Sequence, residues 1–161
     1  MDLFFLESRI PLTKTFSPQG KSPYPMVSNF TSHKEKITSL IDFHAALTVH
    51  SEAGHCLLKG PLRRPLTSES RAGATASDDM TQWVCLDFDK HEAADIDDEL
   101  TTLGLGDISY VLQYSASHLL DGTEGTISAH VFMLLNHALP APTLKNWLTS
   151  LNLKHFVTAS R

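Results

Sequence analysis

Apolar and polar residues alternate from Trp83 to Lys90, and this alternation predicts a β-strand. Successive side chains of a strand point to opposite faces of the sheet. One face would carry Trp83, Cys85, Asp87 and Asp89, and the other Val84, Leu86 and Phe88. The two aspartates therefore share a face, with Cα atoms roughly 6.5 to 7 Å apart. Two carboxylates at this spacing can close around one or two divalent cations.

The residues that follow this strand show alternating helical and strand patterns. We predict a helix over His91 to Leu103, a strand over Ile108 to Ser115, a loop at 121–125, a strand over Thr126 to Leu135, a helix introduced by Pro140 and Pro142, and a fourth strand beginning at Phe156. The order strand, helix, strand, strand, helix, strand is that of a ferredoxin-like or RRM-like unit. Such a unit has an open, mainly antiparallel sheet.

In that topology the first and third strands are neighbours, and both helices cover one face of the sheet. The apolar rows of these two strands, Val84/Leu86/Phe88 and Ile127/Ala129/Val131, should lie under the helices. The opposite, open face would then bring together four polar side chains that are distant in sequence, namely Asp87, Asp89, Ser128 and His130.

The N-terminal half has a different pattern. Four prolines within the first 30 residues predict short regular structure that wraps the body of the protein. A capping box formed by Ser32 and Glu35, followed by apolar residues at helical spacing, predicts a helix from about Ser32 to Val49. The fold class is thus α+β, with an N-terminal αβ unit at 1–75 and an RRM-like unit at 76–161.

Composition limits the class of protein. The chain has 161 residues, 42% of them hydrophobic, and a net charge of −5, which favours a globular protein over one that coats nucleic acid. The two cysteines, Cys56 and Cys85, are expected to be reduced core residues, although a disulfide between them stays open. No stretch is apolar enough to predict export or a membrane span, so we expect a cytoplasmic protein.

One segment reverses the overall negative charge. Between Lys59 and Arg71 there are four cations, Lys59, Arg63, Arg64 and Arg71, and a single acid. This segment is either a solvated loop or an anion clamp, because guanidinium groups bind phosphate oxygens in bidentate fashion. A zinc site built from His50, His55 and Cys56 is disfavoured, because no second ligand pair stands at zinc-finger spacing.

The Asp-x-Asp pair in Leu86-Asp87-Phe88-Asp89, with Ser128-Ala129-His130 on the neighbouring strand, resembles the archaeo-eukaryotic primase superfamily, particularly the primase-polymerases of phages and plasmids. The runs from Leu57 to Gly60 and from Glu69 to Gly73 look similar to phage replication primases as well. The likeness spans most of the chain, and the two motifs in the right topology are moderately specific.

The resemblance implies a nucleotidyltransferase that joins nucleotides on a single-stranded DNA template, with the RRM-like unit at 76–161 as its palm-type catalytic unit. Asp87 and Asp89 would hold Mg²⁺ or Mn²⁺, His130 would contact the triphosphate of the incoming nucleotide, and Ser128 would orient His130 or the sugar-phosphate. Lys59, Arg63, Arg64 and Arg71 would neutralise the triphosphate or the template backbone. A helicase domain in a longer protein and a bacterial host or mobile element as the setting also follow from the resemblance.

One departure leaves alternatives open. The family's third acidic motif follows the second helix, and this chain has no carboxylate after Glu124. We therefore expect either the N-terminal portion of a longer replication protein or an incomplete, inactive site. A binding module for single-stranded nucleic acid would instead stack bases on Phe132 or Tyr114. In a purely structural interpretation, Asp87 and Asp89 cap the helix that follows the strand. A metal-dependent phosphohydrolase built on Asp-x-Asp is disfavoured, because this chain lacks the doubly wound alternation of strands and helices expected of that class.

Overall fold

The computed structural model describes residues 1–17, 20–76, 78–93, 95–116, 118 and 125–159, with side chains at all of these except 15, 21 and 152–159. It divides into an N-terminal unit, Met1–Thr81, and a C-terminal unit, Gln82–Arg161. Each unit is built around a three-stranded sheet, so the predicted α+β class with open, antiparallel sheets is confirmed.

The described residues of the N-terminal unit form five strands and one helix. Its elements are β1 (Asp2–Glu7), β2 (Thr15–Ser17), β3 (Gly20–Ser22), β4 (Thr31–Lys36), α1 (Leu40–Glu52) and β5 (Cys56–Leu57). β1 lies in the middle of the main sheet, antiparallel to both β4 and β5, while β2 and β3 pair as a separate two-stranded ribbon. The first residues therefore form the central strand of this unit.

The start of the predicted helix is wrong, because residues 31–36 are a strand. Thr31–Lys36 pairs residue by residue with β1, from Asp2↔Lys36 to Glu7↔Thr31. The helix begins only after Ser39, whose side chain accepts a hydrogen bond from the backbone N–H of Asp42. Pairing with β1 keeps the predicted cap, Ser32, in a strand, and Ser39 caps the helix instead.

The two faces of this sheet pack against different segments. On one face Leu3 and Phe5 are buried, and α1 turns its own buried residues, Phe43, Leu47 and His50, inward. On the other face Leu6 packs with apolar residues of the long loop after β5, namely Leu58, Leu62, Leu66 and Ala74. Adjacent residues of β1 thus contact different layers, as a strand requires.

The C-terminal unit follows the predicted order as far as its second helix. Its elements are β6 (Met80–Glu92), α2 (Ile96–Thr102), β7 (Val111–Tyr114), β8 (Thr126–Pro140) and α3 (Ala141–Ala159). β8 lies between β6 and β7, so the first and third strands of the unit are neighbours. The predicted loop at 121–125 lies, apart from Gly125, outside the described residues.

The apolar rows of the two neighbouring strands form the core of this unit, as predicted. Val84 and Leu86 of β6 and Ala129 and Val131 of β8 are buried in one cluster. The helices complete that cluster with Ile96 and Leu100 from α2 and Leu144 and Leu151 from α3. Helix-side burial of these rows leaves the alternate residues of β6 and β8 on the opposite face.

Two predicted boundaries in this unit are wrong. The expected fourth strand at Phe156 is helical, because α3 continues through Ala159. His91 still belongs to β6, and the next helix begins after Asp95, whose carboxylate accepts hydrogen bonds from the N–H groups of Asp97 and Asp98. In the described part of the chain, no helix combines the length and apolarity that crossing a bilayer requires.

Candidate functional site

Asp87 and Asp89 lie near the end of β6, on the face away from the helices. Both side chains are exposed, while Leu86 is buried and Phe88 packs against the core on the helix side. The strand alternation therefore places the two carboxylates on one face, where solvent and a ligand can reach them.

His130 of β8 is the neighbour of this pair. Its Nε2 lies 3.4 Å from Oδ1 of Asp87, an ion-pair separation for a protonated imidazole. The His130 side chain is 35% exposed and that of Asp87 is 56% exposed. On the other side, His130 stands opposite Gln113 of β7. An acid and an imidazole separated by 43 positions in the chain thus meet on an accessible surface.

Ser128 differs from its predicted position. It is 1% exposed instead of lying on the open surface, and its Oγ accepts a hydrogen bond from the backbone N–H of Lys90 at 3.0 Å. The Ser128 N–H in turn donates to Nδ1 of His118 at 3.4 Å. Ser128 therefore ties β8 to the end of β6, and no sequence pattern had singled out His118.

The backbone turns sharply immediately after Asp89. Lys90 has φ of +52°, in the left-handed region that a side chain with a Cβ rarely adopts. This residue breaks the strict alternation, because the rings of Phe88 and His91 lie 5.4 Å apart although the residues are three positions apart. His91 reaches Glu99 of α2, with Nε2 3.1 Å from Oε1. Asp87 and Asp89 thus precede a bend that is fixed by contacts of Lys90 with Ser128 and of His91 with Glu99.

Two aromatic residues on the same sheet face as Asp87 and His130 are buried. Trp83 and Phe132 are each 5% exposed, with ring centroids 6.1 Å apart. Phe132 is therefore not accessible for stacking a base in this structure. Tyr114 on the edge strand is 53% exposed and stacks on His118 at 4.3 Å.

The candidate anion-binding residues all belong to the N-terminal unit, and two of them have internal partners. Nε of Arg63 donates to both oxygens of Asp79, at 2.8 and 3.1 Å, and its Nη2 contacts Asp78 at 2.8 Å. Nη1 of Arg64 lies 2.8 Å from Oε1 of Glu69.

These pairs shift the proton equilibria in the expected directions. The hydrogen bond with Asp79 raises the pKa of Arg63, and the same bond lowers the pKa of Asp79. Lys59 and Arg71 are exposed. Phosphate would compete with the carboxylates already paired with Arg63 and Arg64, so Lys59 and Arg71 are the better phosphate-binding candidates of this segment.

Asp87 and Asp89 can bind Mg²⁺ or Mn²⁺ only if other ligands complete the coordination. Among the described residues, the single group that brings three ligand atoms within 4.8 Å of one another is Glu7, His33 and His55, in the other unit. Asp87, Asp89 and His130 form no such cage. Mg²⁺ is commonly held by one or two carboxylates together with substrate phosphates and water. The pair therefore fits a cation that arrives with a nucleotide.

Comparisons with protein families, with curated proteins and with solved structures give no match for this chain. The functional argument consequently rests on the side chains and their geometry.

Proposed function

We propose that the C-terminal unit is the catalytic unit of a metal-dependent nucleotidyltransferase of the primase-polymerase type. The observation that carries this proposal is the exposed contact between Asp87 and His130, with Asp89 next on the same face of β6. Carboxylates and an imidazole on one accessible sheet face are the groups that nucleotidyl transfer requires, because the reaction depends on positioning and on neutralising phosphate charge.

Each side chain has a distinct role in the proposed reaction. Asp87 and Asp89 bind the divalent cation, which when present neutralises phosphate charge and lowers the pKa of an attacking hydroxyl. His130 would donate its Nε2–H to a phosphate oxygen of the nucleotide in place of Oδ1 of Asp87, which lies 3.4 Å from that nitrogen and would instead be held by the cation. Ser128 acts as a positioning residue, because it fixes the backbone that follows Asp89.

The test measures primer synthesis and primer extension on single-stranded DNA with Mg²⁺ or Mn²⁺. Asp87→Asn and Asp89→Asn keep the shape of the side chain and remove its charge, and each should lower the rate by on the order of 10² to 10³. His130→Gln should lower it by on the order of 10². Asp107→Asn is the matched control, because Asp107 is an exposed acid of the same unit, and it should leave the rate unchanged.

Two results would contradict the proposal. One is the absence of nucleotide transfer by the parent protein with either Mg²⁺ or Mn²⁺. The other is full activity in the Asp87→Asn, Asp89→Asn double variant.

A second candidate function is a non-catalytic module that binds single-stranded nucleic acid, favoured by the exposed ring of Tyr114, on which a base could stack. The same variants discriminate, because removing negative charge next to a phosphate backbone should strengthen such binding. In the enzyme, the two neutral variants should instead lose cation-dependent nucleotide binding. Fluorescence anisotropy with labelled single-stranded DNA, with and without Mn²⁺, separates the two.

A further inference from the structure

The N-terminal sheet gathers a second polar cluster, independent of the site proposed above. His33 on β4 pairs with Phe5, and Glu7 is two residues further along β1, so both side chains lie on the face that α1 covers. Cys56 pairs with Leu6, which puts the preceding residue, His55, next to Glu7. One ligand atom from each of Glu7, His33 and His55 lies within 4.8 Å of the other two.

The three side chains are in close mutual contact at a partly accessible position. Nε2 of His33 lies 2.7 Å from Oε2 of Glu7, and the imidazoles of His33 and His55 stack at 4.7 Å with an interplanar angle of 4°. The side chains of His33 and Glu7 are 35% and 47% exposed. An ion from solvent can therefore reach the cluster, and a water molecule can complete its coordination.

Behind these three side chains is a second layer that fixes one histidine. His50 of α1 is 6% exposed and stacks on Phe5 at 3.8 Å. Its Nε2 lies 3.3 Å from Oε1 of Glu35, and its Nδ1 lies 2.8 Å from Nδ1 of His55.

This chain of contacts selects a tautomer. When Nε2–H of His50 donates to Glu35, its Nδ1 becomes an acceptor, and His55 must donate to it from Nδ1–H. Nε2 of His55 then carries the free lone pair. Metal-binding histidines are held in the same way, with one ring nitrogen on the ion and the other donating to a partner.

We propose that Glu7, His33 and His55 bind a transition-metal ion of the Zn²⁺ class, and that His50 and Glu35 position His55. Two imidazoles and one carboxylate are ligands that Zn²⁺ accepts, whereas Mg²⁺ prefers oxygen ligands only. Around a tetrahedral ion at ordinary bond lengths, adjacent ligand atoms lie roughly 3.3 Å apart. Nε2 of His33 and Oε2 of Glu7 lie 2.7 Å apart, so they would have to separate by only a fraction of an ångström to bind the same ion.

The place of Cys56 agrees with this set. Cys56 pairs with Leu6, which packs in the cluster on the opposite face of the sheet. The disfavoured trio of His50, His55 and Cys56 is therefore not the site, and Glu7 and His33 replace the thiol.

The test is equilibrium dialysis of the complete chain, without a histidine tag, against Zn²⁺ after chelator treatment. The parent should bind one ion per chain, with a rise in unfolding temperature, and Co²⁺ in its place should give the visible absorption of a low-coordinate site. His33→Gln, His55→Gln and Glu7→Gln should each weaken binding by more than about a hundredfold. The control His44→Gln alters an exposed histidine of α1 and should bind normally.

The positioning role of His50 has its own readout. His50→Leu keeps an apolar contact with Phe5 but offers no acceptor to His55, so metal affinity should fall by about ten- to a hundredfold while the metal-free unfolding temperature is maintained. His50→Gln retains an acceptor oxygen and should recover part of that loss.

Three results would overturn the inference. They are a parent chain that binds no Zn²⁺, a Glu7→Gln variant that binds it as the parent does, and Zn²⁺ stoichiometry that falls in the Asp87→Asn, Asp89→Asn double variant. His50→Leu with parental affinity would remove the positioning role.

Discussion

The backbone N–H of Lys90 donates a hydrogen bond of 3.0 Å to the buried hydroxyl of Ser128. Lys90 follows Asp89 directly, and Ser128 lies two residues before His130 on the adjacent strand. One serine hydroxyl therefore joins the two strands that carry the candidate catalytic side chains.

Ser128→Ala should destabilise the protein by about 1 to 3 kcal/mol, because it leaves a part-buried backbone donor without its acceptor. Urea denaturation measures this difference. Ser109→Ala changes an exposed serine of the same unit and should stay within about 0.5 kcal/mol of the parent. Equal stabilities for the two variants would show that the Lys90–Ser128 bond does not hold the strands together.

Glycine should be better tolerated than lysine at position 90, because the backbone there is left-handed. At φ of +52° an ordinary side chain costs roughly 1 to 2 kcal/mol, so Lys90→Gly should be neutral or stabilising by about 0.5 to 1 kcal/mol, after the entropy of glycine is counted. Lys145→Gly, at an exposed position of α3, should instead destabilise by about 1 kcal/mol. Chemical denaturation of both variants checks the difference in sign, and destabilisation by both would argue against the left-handed backbone.

Much of the C-terminal unit could be predicted from the sequence because its segments are strongly periodic. The alternation in β6 and β8 correctly predicted which residues are buried under the helices and that Asp87 and His130 share the opposite face. The burial of Ser128 could not be predicted, because alternation gives only its face, and no residue type signals that its hydroxyl accepts from the left-handed Lys90. The functional assignment of these side chains stays a prediction.

In the N-terminal unit a local signal was misleading. Ser32 and Glu35 match a capping box, yet β1 supplies a strand partner for every residue of β4, and this long-range pairing outweighs the local preference. The error hid the histidine cluster, because a helical His33 would not stand beside Glu7. Residues from two strands, from helix α1 and from the position just before β5 meet there, and no sequence spacing links them.

Gly54 should tolerate no side chain. It has φ of +73°, and a Cβ at this position would lie 2.7 Å from Cβ of Pro11. Gly54→Ala should therefore destabilise by more than about 2 kcal/mol, since conformational strain and a steric clash add.

Gly73→Ala provides the matched control, because Gly73 also has φ of +73° but no atom within 4 Å of its added Cβ. It should show only the conformational part, about 1 to 2 kcal/mol. The difference between the two variants in thermal or urea unfolding isolates the clash with Pro11, and the absence of a difference would mean that the Pro11 segment moves aside freely.

Tyr110 should lose its proton at a higher pH than an ordinary tyrosine. Its hydroxyl donates to Asp97, and this hydrogen bond, followed by burial, raises the pKa of Tyr110 to about 12. The neutral phenol is thus favoured by the fold, so its contribution to stability is complete below pH 10.0 and is lost as pH rises through about 12. Difference titration of phenolate absorbance between the parent and Tyr110→Phe measures this pKa. Asp97→Asn should lower it, and an unchanged value would refute the role of the carboxylate.

Asp42 should contribute stability that depends on acid pH. The hydroxyl of Thr38, its backbone N–H and then Ser39 lower the pKa of Asp42 from its ordinary value of 3.8. Between the folded value and 3.8 the unfolded chain binds the proton and the folded chain does not, so stability rises with pH in that window. The contribution is complete above 3.8 and is lost as pH falls through the folded pKa.

Urea denaturation across a series of acidic pH values should therefore give a shallower pH dependence for Asp42→Asn than for the parent. Thr38→Val removes the hydroxyl donor but keeps the backbone N–H that also bonds to Asp42, at 2.9 Å. It should reduce the slope only in part, because the backbone N–H of Thr38 and Ser39 still lower the pKa of Asp42. Parallel pH profiles for the parent and Asp42→Asn would mean that the carboxylate is not held by Thr38 in solution, and that Ser39 alone caps α1.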